Sequence, residues 1–243
     1  MGLSPSTLFH FTTKIGLKGI LKDNFKLKYC LETISHIDKP IEIAIPMVSF
    51  CDIKISQIKE HIEKYGYYGI GLSKDWAMEK GLNPVIYLNS SSSFSIGIIS
   101  VIKDIVKNKK LIKEDRMNLV NFLRYSKIYE GDLIRKGKTI KKYRYADERE
   151  WRYVPEKKTN HLAWLAKNQY DTQEKKASQN NNLKDEKLFF NANQILYLVV
   201  KEEKEIAEII SHIRTVKGIN YTMDEIDRLT SRIISCERIM NDF

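Results

Sequence analysis

The order of elements along the chain predicts an α+β fold: a split, mixed β-sheet with peripheral helices and an inserted basic helical segment. Three observations carry that prediction. An aromatic strand at residues 8–12 passes straight into a helix, a glycine–tyrosine strand near residue 70 passes into another, and the apolar run QILYLVV at 194–200 is followed by two helical patterns. Strands and helices in this irregular order argue against a regular doubly wound sheet.

Taken in order, LFHFT (8–12) reads as a short strand carrying His10, either a packed core histidine or a functional one. Thr12 or Thr13 caps a helix with Ile15, Leu17, Ile20 and Leu21 as its buried stripe. Residues 24–45 read as loop and short strands, punctuated by Pro40 and Pro46, and MVSFC (47–51) as another strand. Ile55, Ile58, His61, Ile62 and Tyr65 recur at helical spacing, which makes His61 a core residue. The stretch YGYYGIGLSKDWA (65–77) follows. Its glycines allow either a ligand or a neighbouring element to come close, and its Ser-Lys-Asp starts a helix that ends near Gly81. Residues 84–88 are a further strand, and the serines at 90–93 are a joint or an N-cap with no nucleophile elbow around them. Ile96, Ile99, Ile102 and Ile105, then Met117, Val120, Phe122 and Leu123, predict two helices, so 91–142 reads as a basic helical insertion in a single domain of 1–243. If residues 148–153 are extended, Glu148 and Glu150 share a face opposite Trp151 and Tyr153; the alternative is that Arg149 and Arg152 simply pair with these acids at the surface. The polar stretch 156–193 reads as a long mobile loop or lid. After the strand at 194–200, a helix runs to about Val216, and a second begins at Thr222 with Glu225 placed for a capping box.

Composition narrows the class. A hydrophobic share of 42% and a charged share of 30% suit a globular protein. No apolar run nears the roughly 20 residues that cross a bilayer. With no basic, apolar leader, the expected setting is cytoplasmic and away from membranes. Cys30, Cys51 and Cys236 lack the spacing of a disulfide framework or a zinc site, and no metal is expected. Of the net charge of +10, residues 101–144 hold fourteen Lys or Arg against five Asp or Glu. That tract, with Lys109, Lys110, Lys141 and Lys142 and the interleaved Phe122, Tyr125, Tyr129 and Tyr143, is either a nucleic-acid or partner surface or a solvated face.

The strand YGIGLS (68–73) followed by Ala77, with the acidic Glu148-Arg149-Glu150, resembles the second and third motifs of the ADP-ribosyltransferase superfamily. Residues 49–89 together with 8–12 more closely resemble the AbiGi family of abortive phage-infection proteins, and 147–153 is similar to a Glu-x-Glu-Trp-Arg signature in a related family of uncharacterised bacterial proteins. The transferase resemblance implies an ADP-ribosyltransferase-like fold that uses NAD as substrate, either to ADP-ribosylate a macromolecular target or simply to consume it, with His10 in its catalytic set. It implies Glu150 as the catalytic acid, Glu148 as its orienting partner, and His10, Thr12, Tyr68, Gly69, Ser73 and Trp76 around the dinucleotide, because an oxocarbenium-like ribose needs a nearby carboxylate. Phe11 stands where many of these enzymes have glycine, and Gly71 where they have an aromatic. The AbiGi resemblance implies phage defence and the antitoxin half of a pair with a partner toxin, without implying an enzyme.

Overall fold

The structure is a computed structural model that describes residues 4–35, 40–107, 113–135, 137–156 and 161–242. It is a mixed α+β protein in two compact units. The first unit comprises Met1–Lys26, Val48–Leu82 and Asp185–Phe243, and the second Leu27–Met47 and Asn83–Lys184.

In the first unit, Thr7–Thr12 pairs antiparallel with Tyr68–Ser73, which pairs antiparallel with Ile195–Val200, which in turn pairs parallel with Ile233–Ser235. The sheet is therefore mixed. Gly69 lies opposite Phe11 and Gly71 opposite Phe9 in the register. A Cβ on Gly71 would come within 2.9 Å of the Phe9 ring and of Thr7, and one on Gly69 within 3.0 Å of the Phe11 ring. The glycines of this strand thus make room for the stacked Phe9 and Phe11 rings, whose centroids are 5.8 Å apart. Phe9, Ile58, Ile62, Val199 and Ile239 form the core on that side. The helices follow the sequence pattern. Thr13 caps Lys14–Asp23 by accepting from the Gly16 N–H, Leu17 and Leu21 are its buried positions, and Thr222 and Glu225 form the capping box of Met223–Thr230.

In the second unit, Lys28–Ser35 and Leu165–Ala166 each pair antiparallel with the strand Ile41–Cys51, at Ala44 and Ile43 among other positions. Ile86–Leu88 pairs parallel with Ser126–Ile128, and Glu150–Tyr153 pairs antiparallel with Asn83–Pro84. Ile34, Ile43, Ile45, Met47, Leu88, Ile99 and Val154 form the core.

Two segments differ from the sequence reading. The tract 91–142 is helical only in its first part, Ser93–Lys107 and Lys113–Arg124; after it come the strand Ser126–Ile128 and a hairpin of Glu130–Arg135 with Lys138–Arg144. Gly137, at φ 74°, stands at the turn, and Leu133 and Ile140 pair across it, a period-two pattern hidden among the lysines. Within 156–193 the structure contains the strand Leu165–Ala166 and a helix Gln173–Asn181 capped by Thr172. Here Asn180 accepts the Tyr29 backbone N–H at 2.9 Å and donates to the Tyr170 hydroxyl at 3.0 Å. A polar run that looks unstructured in composition supplies hydrogen bonds to its own unit. Among the described residues no helix is long and apolar enough to cross a membrane.

Candidate functional site

The acidic motif is built from a tight turn. Tyr145–Glu148 forms a 3-10 turn, and Arg149 adopts a left-handed conformation at φ 46°, which leaves its own side chain exposed while Glu148 and Glu150 are both buried. From Glu150 onward the chain is a strand, so Glu150 and Arg152 are buried and Trp151 and Tyr153 are half-buried.

Inside, the acids meet two cations. Lys127 Nζ lies 3.0 Å from Glu148 Oε2, 2.9 Å from Glu150 Oε2 and 3.7 Å from Glu32 Oε2. Arg152 reaches Glu150 Oε1 with Nε at 2.7 Å and Glu32 Oε2 with Nη2 at 2.8 Å, and donates through Nη1 to the Arg124 carbonyl at 3.1 Å. The Tyr87 hydroxyl accepts the Glu150 backbone N–H at 2.8 Å, and Lys127 Nζ sits 4.8 Å from the centre of the Tyr145 ring. Glu150 is only 5% exposed. Burial alone would raise its carboxyl, yet Arg152 and Lys127 pull it from 4.5 down to about 2. Burial alone would likewise depress Lys127, but Glu150, Glu32 and Glu148 outweigh it and hold the ammonium well above its usual value. Arg152 is raised in the same way, desolvation being overcome by Glu150 and Glu32. The pairing of acids with Arg152 foreseen at a surface therefore exists, but in the interior and with Lys127 and Glu32 as further members. With every group ionised, three carboxylates face two cations.

The residues tied by resemblance to a dinucleotide lie in the first unit. His10 and Tyr68 share a sheet face, since His10 is opposite Ile70 and Thr12 opposite Tyr68. The His10 ring lies 5.2 Å from Phe25 and 5.7 Å from Phe50, and its Nδ1 is 2.8 Å from the Ser49 carbonyl. A carbonyl only accepts, so Nδ1 carries the proton. Desolvation lowers the His10 pKa against the raising effect of that hydrogen bond. The Tyr68 hydroxyl donates to Glu205 at 2.7 Å, and Glu205 is also bound by Lys14 at 3.1 Å. Burial first and Glu205 second push the phenol up to about 12. Ser73 caps the helix Lys74–Glu79, accepting from the Trp76 N–H. Trp76, 1% exposed, packs against Phe50 and donates its indole N–H to the Phe189 carbonyl at 3.1 Å. Gly69 faces the Phe11 ring. The His10 Nδ1, the Tyr68 hydroxyl, the Ser73 hydroxyl and the Trp76 indole N–H thus each have a partner within the protein, and Thr12 lies beside His10 on the same sheet face.

Of the basic residues singled out, Lys141 and Lys142 are exposed on the hairpin strand Lys138–Arg144, and Lys109 and Lys110 lie outside the described residues. Of the interleaved aromatics, Tyr143 is buried, Phe122 and Tyr125 pack on the core of the second unit, and Tyr129 is exposed. Among the described residues no group of three or more His, Cys, Asp or Glu is placed to hold a metal ion. Lys127, Glu32 and Tyr87 are the members of the ionic centre that the sequence reading missed. The signal in the sequence was weak: the short run YSKIY at 125–129, where Lys127 falls on the same face as Tyr125 and Tyr129 if the run is a strand.

The fold and its centre define a mixed α+β protein with a buried ionic centre of Glu32, Lys127, Glu148, Glu150 and Arg152. The sequence profile described as "Putative abortive phage resistance protein AbiGi, antitoxin" matches residues 23–201. The chain is also 30% identical over 233 residues to the abortive phage resistance protein AbiGi of Lactococcus lactis subsp. cremoris, which spans 86% of this chain and 94% of that protein. This chain belongs to the AbiGi family of abortive phage resistance proteins. No solved structure matches it. The resemblance to that family is borne out, and its match covers 49–89; the ADP-ribosyltransferase resemblance has no counterpart in these matches.

Proposed function

We propose that this protein is the non-catalytic antitoxin of a phage-defence pair, restraining a partner toxin by binding it. The observation that carries this reading is the state of Glu150, both of whose carboxylate oxygens are bonded to Arg152 or Lys127 in the interior. NAD chemistry on an ADP-ribosyltransferase-like fold needs that carboxylate facing the ribose. Here it neutralises two internal cations. The description of the matching family, which names an antitoxin, supports the same conclusion.

Co-expression tests it. Made together with the protein encoded beside it, the chain is expected to relieve that protein's toxicity and to co-elute with it. Incubated with labelled NAD, it is expected to release no nicotinamide and transfer no label. Failure to relieve toxicity would overturn the reading. So would NAD turnover that Glu150→Gln abolishes at an unchanged melting temperature.

A further inference from the structure

The positive charge of this protein is not shared between its units. The second unit holds twenty-four Lys or Arg against fourteen Asp or Glu, and the first is balanced, seventeen against seventeen, so the whole net charge of +10 lies in the second. Within it, residues 130–144 alone carry six basic against two acidic residues. The strands Glu130–Arg135 and Lys138–Arg144 form the hairpin, which stands as a separate two-stranded sheet among the described residues. In its second strand every residue except Tyr143 is exposed, including Lys138, Lys141, Lys142 and Arg144.

Two features separate this ribbon from an ordinary solvated one. Ile134 is 74% exposed and Ile140 41%, where a soluble edge gains nothing from bare branched aliphatics. The root of the hairpin is also fixed to the ionic centre. Tyr145 donates its hydroxyl to the Asp132 carbonyl at 3.0 Å, its ring lies under Lys127 Nζ, and the Ala146 N–H bonds the Tyr129 carbonyl at 3.3 Å. A charged, apolar-tipped element on a rigid root presents a preorganised surface.

We infer that this hairpin is the docking surface for the partner protein, and that the partner brings an acidic face with an apolar spot that receives Ile134. The inference rests on the antitoxin reading and deepens it. Charge complementarity selects the occupant. A second copy of this chain would set one lysine-rich ribbon against another, which like-charge repulsion opposes. A single-stranded nucleic acid wants a row of exposed rings to stack its bases, and here Tyr143 is buried, Tyr145 is half-buried beneath Lys127, and Tyr129 alone of the tract's tyrosines is exposed, at 40%. Phosphates would have no use for Ile134.

The test uses the full chain and, as probe, the purified protein encoded beside it, with a mixed-sequence DNA duplex in a parallel arm. Lys138→Glu combined with Lys142→Glu is expected to weaken binding by about tenfold or more, chiefly through slower association that becomes insensitive to salt. Ile134→Asp is expected to weaken it separately, and Lys54→Glu with Lys80→Glu, on the first unit, to leave it unchanged. A milder pair, Lys138→Gln and Lys142→Gln, serves if the reversals unfold, and melting temperatures check each variant. Wild-type binding that all hairpin variants retain overturns the inference and leaves the antitoxin reading intact. Absence of wild-type binding and of toxin relief overturns both. Duplex binding lost in the lysine variants but kept in Ile134→Asp makes the ribbon a phosphate surface and also overturns the inference.

Discussion

Replacing Lys127 by Met removes the cation that holds the acidic motif together while keeping most of the side chain's volume. The ammonium lies 2.9 Å from Glu150 and 3.0 Å from Glu148, contacts worth about 5 kcal/mol apiece at the effective dielectric that suits protein interiors, before any desolvation is counted. Most of that gain offsets the cost of burying the charges. Stranding one side of a buried pair nevertheless costs about 3 to 5 kcal/mol. The variant leaves Glu32, Glu148 and Glu150 facing Arg152 alone, so the loss is expected in that range at pH 7. It should shrink on acidification, because the stranded carboxylates then take up protons. The wild type behaves in the opposite sense: Glu150 is lowered to about 2, so its contribution, about 3 kcal/mol, is complete above its unfolded value near 4.5 and disappears as pH falls towards 2. The assay is urea unfolding at pH 7 and pH 4.5, followed by circular dichroism and by tryptophan fluorescence. Trp151 and Trp164 report on the second unit and Trp76 on the first, so non-coincident transitions would assign the loss to its unit. A loss below about 1 kcal/mol that does not change with pH would refute the ionic-centre argument.

Four further outcomes follow from the first unit. Gly71→Ala should destabilise by about 1 to 3 kcal/mol through overpacking against Phe9 and Thr7. Gly66→Ala should cost more, because φ is 127° and the added Cβ would lie 2.3 Å from the Thr12 carbonyl oxygen; melting temperatures in the reverse order would contradict both. His10 should titrate below 6.5 in an NMR pH series. Its lowered value means that stability is complete above about 6.5 and lost as pH falls through the folded midpoint, and a midpoint at or above 6.5 would remove the burial argument. Lys217, 6% exposed with its ammonium over the Phe190 and Tyr221 rings, is depressed by burial alone, so Lys217→Met is expected to be neutral or stabilising; a loss above about 1 kcal/mol in urea unfolding would show that the charge is needed.

What the sequence made legible was local. Capping at Thr13 and Thr222, the apolar stripe Leu17–Leu21, the strand around Ile70 and the two helices after Ser92 are each written in a few neighbouring residues, where periodicity and caps decide. What was not legible depends on partners far along the chain. The reason for Gly71 is Phe9, more than sixty positions earlier, so the same glycine suits a ligand or a ring equally well until the register is known. The hairpin was obscured because its lysines are exposed and break the apolar alternation, and the helix at Gln173–Asn181 because Asn180 satisfies the backbone of Tyr29.

The acidic motif shows the same limit in its chemistry. Glu148 and Glu150, with Arg152 two residues on, give the convergence that either a catalytic pair or an internal ionic framework needs. Under the proposed antitoxin reading they form the framework, on the ground that a carboxylate already bonded to the Lys127 ammonium and the Arg152 guanidinium has little left for a developing positive charge. Lys127 also lies over Tyr145, which anchors the hairpin through Asp132. Its removal should therefore reduce stability and partner binding together. Charge reversal at Lys138 and Lys142 should reduce binding alone, because those side chains are exposed. If the ionic centre were instead a catalytic device, replacing its acids would leave the hairpin and its partner affinity untouched and would raise stability, as relief of buried like charge does. The signs of the two changes, measured on the same variants, separate the framework from the active site.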